Sequence, residues 1–125
     1  MSAQILLVED DPASLELFSY LLEYQGFQVY QAEDGCQALD KALALSSVLD
    51  LVISDIQMPE MDGYQLLKAL RAHSDFATKP IIAITAFSMS GDEQRILGAG
   101  FDGYISKPIA PERFVAQVSQ WLTPS

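Results

Sequence analysis

Apolar residues fall along the chain in two alternating rhythms. The short unbroken runs Ile5-Leu6-Leu7-Val8, Leu51-Val52-Ile53 and Ile81-Ile82-Ala83-Ile84 are too brief for helices, and they offer no polar position to water. That is the pattern of strands buried on both faces. Phe27 to Ala32 and Tyr104-Ile105-Ser106 are the remaining strand segments. Between the runs the spacing becomes helical. Leu15, Phe18 and Leu22 with Leu21 form one stripe; Leu39, Ala42 and Leu43 a second; Leu66, Leu67 and Leu70 a third; Phe114, Val118 and Trp121 a last. A shorter helix is predicted from Asp92 to Leu97, closed by Gly98 and Gly100. Chemical punctuation marks the boundaries. Asp11-Pro12 supplies an N-cap and a first-turn proline, Gly26 a stop, Asp34-Gly35 a turn, Asp62 a cap and Pro111 a start.

Five strand segments alternating with helices imply a parallel sheet covered on both faces. The predicted fold is α/β, a flavodoxin-like (βα)5 three-layer sandwich, with right-handed crossovers and strand order 2-1-3-4-5. A length of 125 residues suits one domain, 1–125, with no output domain attached. In such sheets ligands bind beyond the carboxyl ends of the strands, near the point where strand order reverses. Glu9 and Asp10 follow the first strand, Asp55 ends the third, Thr85 the fourth and Lys107 the fifth, so all share one sheet edge.

Charge narrows the chemistry. A formal net charge of −10 disfavours nucleic acid and anionic membrane as partners. No apolar run approaches the ~20 residues of a membrane helix. The Met1-Ser2-Ala3-Gln4 start lacks a basic n-region, and the single cysteine, Cys36, excludes an internal disulfide or a cysteine-rich zinc site. Cys36 reads as a packing residue and the cytoplasm as the compartment. At the sheet edge, clustered carboxylates repel one another unless a cation intervenes. Lys107 and a divalent ion would relieve them, and the all-oxygen donor set favours Mg²⁺ over zinc or copper. Such a site suits phosphoryl chemistry with an aspartate nucleophile.

The stretches Leu7-Val8-Glu9-Asp10-Asp11, Asp55-Ile56-Gln57-Met58-Pro59-Glu60-Met61-Asp62-Gly63, Ile84-Thr85-Ala86 and Tyr104-Ile105-Ser106-Lys107-Pro108 resemble the response-regulator receiver domains of two-component signalling. The likeness spans the chain, and Thr85 to Asp92 looks most like stand-alone cell-cycle receivers and the receivers of hybrid histidine kinases. The resemblance implies that Asp55 accepts a phosphoryl group in a Mg²⁺-dependent reaction. It further implies Asp10, Asp55 and the backbone carbonyl of Gln57 as metal ligands, with Glu9 acting mainly through water. Thr85 would hydrogen-bond the phosphoryl group, Lys107 would pair with it, and Tyr104 would be the aromatic switch that moves inward with Thr85. It implies a cis Lys107-Pro108 bond, a histidine kinase or histidine phosphotransfer protein as donor, and a downstream protein target that the sequence does not identify. The chain would be no enzyme beyond its own phosphotransfer and autodephosphorylation.

Other readings are weighed on the same residues. A phosphorylation-independent binding module on this fold would be expected to lack an acid, the threonine or the lysine; all are present here. An aspartate-nucleophile phosphatase needs a second acid at position 57, where Gln57 stands, and a flavin site needs a phosphate loop where Glu9, Asp10 and Asp11 stand. Asp11 reads as a helix cap, Glu60, Asp62 and Asp102 as turn and cap residues, and His73 as a solvated loop residue. Gln57 and Phe87 are predicted to flank the path by which water would reach a phosphoryl group on Asp55.

Overall fold

The apolar runs are sandwiched between helices. In the computed structural model, which describes residues 3–86 and 90–122 except for the side chains of 90–92, the elements alternate throughout. They run β1 (Gln4–Val8), α1 (Pro12–Tyr24), β2 (Gln28–Ala32), α2 (Gly35–Ala44), β3 (Leu51–Asp55), α3 (Gly63–Arg71), a 3-10 turn (Ser74–Phe76), β4 (Ile81–Thr85), α4 (Ser90–Ala99), β5 (Gly103–Ser106) and α5 (Pro111–Ser119). All strand pairs are parallel and the sheet order is β2-β1-β3-β4-β5, as the alternation predicts.

Side-chain parity sorts the core into two layers. Leu6, Val8, Val52, Ile81 and Ala83 face α2, α3 and α4, where Ala38, Ala42, Leu66, Leu67, Leu70 and Ile96 meet them. Ile5, Leu7, Leu51, Ile53, Ile82, Ile84 and Ile105 face α1 and α5, against Leu15, Phe18, Leu22, Phe114 and Val118. Burying a side chain of this size contributes about 1.5–3 kcal/mol. The central strands β1, β3 and β4 are therefore fixed from both sides.

The predicted caps form. The Asp11 carboxylate accepts from the backbone N–H of Ser14 at 3.1 Å and from its hydroxyl at 2.6 Å, before Pro12 in the first turn. Asp34, read from sequence only as a turn residue, also caps α2 by accepting from the N–H of Gln37 at 2.7 Å. Asp62 and Gln65 complete a reciprocal capping box on α3. The Lys107-Pro108 bond is cis. Three expectations change. Leu43 is exposed rather than on the buried face of α2, because Gly35, Ala38 and Ala42 turn inward instead. Cys36 is exposed, not packed, since it lies off the inward row of Gly35, Ala38 and Ala42. The fourth helix is longer than predicted and begins at Ser90.

Asp102 does more than turn the chain. Its carboxylate accepts from the N–H of Ile81 at 2.8 Å and from the Arg71 guanidinium at 2.8 Å. Arg71 also donates to the carbonyls of Phe76 and Lys79, each at 2.7 Å, and to Gly100 at 3.2 Å. One fork thus ties the end of α3 to the entrances of β4 and β5, satisfying carbonyls that helix and sheet leave unpaired. The Arg71–Asp102 pair is partly exposed, so its charge counts for little and the carbonyl bonds dominate. Arg71→Ala is expected to lower unfolding stability by about 2 kcal/mol with an unchanged urea m-value. Arg71→Lys should recover only part, because an ammonium cannot fork. A loss within 0.5 kcal/mol, roughly the scatter of surface substitutions, would contradict this clamp.

Candidate functional site

The parity that sorts the core also aims the side chains past the strand ends. In β1 and β3, Ile5, Leu7, Leu51 and Ile53 face one layer, and two residues further on the same face come Glu9 and Asp55. The register pairs Val8 with Ser54, which brings Glu9 alongside Asp55 one step beyond. Lys107 follows Ile105 on that face by the same count, and its N–H donates to the Thr85 carbonyl at 2.7 Å. Carboxylate oxygens of Glu9, Asp10 and Asp55 all lie within 4.8 Å of one another. Glu9, Asp55 and Thr85 are only 1%, 6% and 2% exposed, so water does little to screen them.

The Lys107 ammonium sits 2.7 Å from Glu9 Oε1 and 3.3 Å from Asp55 Oδ2. The Asp55 contact is a hydrogen bond. The closer contact to Glu9 is an ion pair to a buried oxygen. Its partner oxygen, Oε2, accepts from the N–H of Asp11 at 3.2 Å.

Titration follows from this crowding. Burial raises the Glu9 carboxyl above its ordinary range, and the Asp55 carboxyl raises it further against the pull of Lys107. Asp10 is exposed as a residue, but partial burial of its carboxyl, followed by contact with Glu9, raises it too. For Lys107 burial works downward, yet Glu9 and Asp55 outweigh it and hold the ammonium above its usual value. Asp11 is held low instead, first by the Ser14 side chain and then by its backbone. Asp11 therefore serves α1 as the cap the sequence predicts. Three close carboxylates that share one ammonium, all of them hard-oxygen donors, together fit a divalent cation.

The loop after Asp55 is folded back tightly. The N–H of Gly63 donates to the Ile56 carbonyl at 2.8 Å. A Cβ at Gly63 would lie 2.5 Å from the Asp55 carbonyl oxygen, so only glycine lets α3 begin this close to the acceptor strand. Glu60 turns the loop with a φ of 67°. Gln57 is exposed at the mouth of a cleft of ≈ 500 Å³, with Asp10 beside it and Tyr64 and Arg95 across. Phe87, its predicted counterpart, lies outside the described residues.

Tyr104 is half-buried beside Glu93 of α4, and burial followed by that carboxylate raises its phenol. It packs against the α2–α4 side of the core, within reach of Thr85 by register, since Ala83 pairs with Tyr104 and Thr85 with Ser106. Next to it Trp121 lies on Gly103, where any Cβ would strike the indole. Sequence reading placed Glu9, Asp10, Asp55, Thr85 and Lys107 at one edge, and the structure brings them together. It did not find that Lys107 leans on Glu9 more closely than on Asp55, nor that Arg95 rests over Tyr64. The first could have been read from the shared parity of positions 9, 55 and 107.

Known proteins resemble this chain along nearly its whole length. The model of the response regulator receiver domain matches residues 5–119. The polar-differentiation response regulator DivK of Brucella abortus is 38% identical over 122 residues, covering 98% of both chains. The chemotaxis response regulator CheY4 of Vibrio cholerae superposes with a TM-score of 0.91 at 31% identity, covering 98% of this chain and all of that one. The receiver domain of a Pseudomonas aeruginosa sensor histidine kinase, solved with a magnesium ion coordinated in its active site cleft, gives 0.87 at 31% identity and covers 98% of each chain. No helix among the described residues is long and apolar enough to cross a membrane.

The carboxyls of Glu9 and Asp10, raised by burial first and by neighbouring acids second, are costly to ionise, so removing one charge should relieve the metal-free protein. Above the raised values the full repulsive cost is present; as pH falls through them the carboxyls take up protons and the cost is lost. Asp10→Asn is therefore expected to raise the metal-free Tm by a few degrees near neutral pH, and to shrink the further rise that a divalent cation produces. A lower metal-free Tm, or an undiminished response to the cation, would contradict the arrangement.

Proposed function

The chain belongs to the response regulator receiver domain family, and on that premise we propose that it is a phosphorylation switch with Asp55 as its acceptor. The observation that carries this reading is the Lys107 ammonium poised on Asp55 Oδ2 at 3.3 Å, at a buried sheet edge that it shares with Thr85. The donor is a phosphohistidine on a histidine kinase or histidine phosphotransfer protein. An Asp55 carboxylate oxygen forms a bond to phosphorus while the phosphorus–nitrogen bond breaks, and the imidazole nitrogen leaves with the electron pair. Lys107 holds Asp55 in place and turns its charge to the arriving phosphoryl oxygens, with Thr85 donating its hydroxyl to one of them.

Mg²⁺ is the cation that suits the site, with Asp10, Asp55 and the Gln57 carbonyl as ligands and Glu9 behind a water. Bound there it would offset the charge on the transferring group. The hard-oxygen set supports this choice, as does the magnesium ion in the similar Pseudomonas aeruginosa receiver. Beyond its own phosphorylation and dephosphorylation the chain catalyses nothing. Signal leaves by protein contact. Phosphorylation adds about −1.5 to −2 charge beside Thr85. Thr85 moves toward it, Tyr104 follows inward from Glu93, and the α4–β5–α5 face changes shape for a protein partner that prefers that state.

Incubation of the wild-type protein with Mg²⁺ and a small phosphodonor should add one phosphoryl mass, and a chelator should suppress it. Asp55→Asn should stay folded and unlabelled; labelling equal to wild type would displace the acceptor. Trp121, the only tryptophan in the chain, rests on Gly103 beside Tyr104 and should report the switch by a change in emission on phosphorylation. In Tyr104→Ala that change should be largely lost while labelling persists. An undiminished emission change would place the output elsewhere.

A further inference from the structure

The cleft beside Asp10 has a feature that the phosphorylation reading leaves unused. Its lining includes the acids Asp10 and Asp62, the apolar Met58 and Pro59, and Tyr64 with Arg95. Among the described residues Arg95 is the only lysine or arginine lining it. The guanidinium lies over the Tyr64 ring, 4.9 Å from its centroid, and Phe101 meets that ring edge-on at 5.9 Å. The charge is thereby held against an aromatic ring that is itself packed. Four of the other six lysines and arginines are committed elsewhere: Lys41 donates to the Gln31 carbonyl, Lys79 to Ser46, Arg71 to its clamp and Lys107 to the acids.

On a chain of net charge −10, a negatively charged phosphodonor nearing Asp55 meets repulsion almost everywhere. We propose that Arg95 is a donor-selecting residue: it draws small dianionic acyl phosphates into this cleft, where Met58, Pro59 and Tyr64 contact the acyl group. The proposal rests on Asp55 being the acceptor. In the transfer an Asp55 oxygen bonds to phosphorus as the phosphorus–oxygen bond to the acyl group breaks, and the carboxylate leaves with the electron pair. No oxidant or added proton is required. A cation on the approach path acts on capture, so its effect grows with donor charge and fades with salt.

The test compares initial rates of Mg²⁺-dependent labelling by acetyl phosphate, a dianion near neutral pH, and by phosphoramidate, a monoanion. The proteins are wild type, Arg95→Met, which can still cover Tyr64, and Arg95→Lys, which keeps the charge. Arg95→Met is expected to lose about three- to tenfold with acetyl phosphate, through KM rather than the saturating rate, and clearly less with phosphoramidate. Arg95→Lys should recover most of the loss, and high salt should erase the difference. Equal losses with both donors, no loss, or failure of the lysine variant to rescue would each overturn the selecting role while leaving Asp55 as acceptor. Wild type unlabelled by both donors would instead remove the phosphorylation reading, and this proposal with it.

Discussion

The site depends on an imbalance of charge. Glu9, Asp10 and Asp55 hold their carboxylates within 4.8 Å, and Lys107 offers them a single ammonium. In open water such a cluster would cost little. With Glu9 and Asp55 almost wholly buried, burial first and then the neighbouring acids raise the carboxyls of Glu9 and Asp10, while attraction to Glu9 and Asp55 holds the Lys107 ammonium above its usual value against the pull of burial. The cluster is left short of positive charge, which is the condition for taking up a cation and then handling a phosphoryl group.

The fold keeps this cluster from relaxing. Each acid follows directly from a strand that is pinned between two layers of core, so the carboxylates cannot separate without disturbing Leu7, Ile53 or Ile84. Gly63 allows the start of α3 to close against the Asp55 carbonyl, and Asp62 with Gln65 locks that start. At the opposite edge of the sheet Arg71 and Asp102 fasten the entrances of β4 and β5. One edge is made stable by satisfied polar groups, and the other is made reactive by buried acids that share a single ammonium.

Much of this was legible in the residues. Unbroken runs such as Ile81-Ile82-Ala83-Ile84 can only be double-sided strands, and their alternation with helical stripes fixes a parallel sheet, its order and the edge where Asp55 and Thr85 emerge. Caps at Asp11 and Asp62 were readable because capping depends on local geometry. What escaped was set by distant contacts. The helical spacing of Leu39, Ala42 and Leu43 did not tell which flank of α2 would meet the sheet, so Leu43 and Cys36 were placed inside and lie outside. Asp102 meets Arg71 across 31 positions of chain, and Arg95 meets Tyr64 across two helices; neither pairing leaves a local trace.

The central claim is that the acids carry more negative charge than Lys107 can offset, and that a divalent cation makes up the difference. Calorimetric titration of Lys107→Met with Mg²⁺, at a pH well above the carboxyl range so that protons do not compete, tests it most directly. Removing the ammonium that leans on Glu9 and Asp55 should make the ion bind several-fold more tightly than in wild type. Affinity that is unchanged or weaker would mean that Lys107 and the cation do not answer the same charge, and the account would fail.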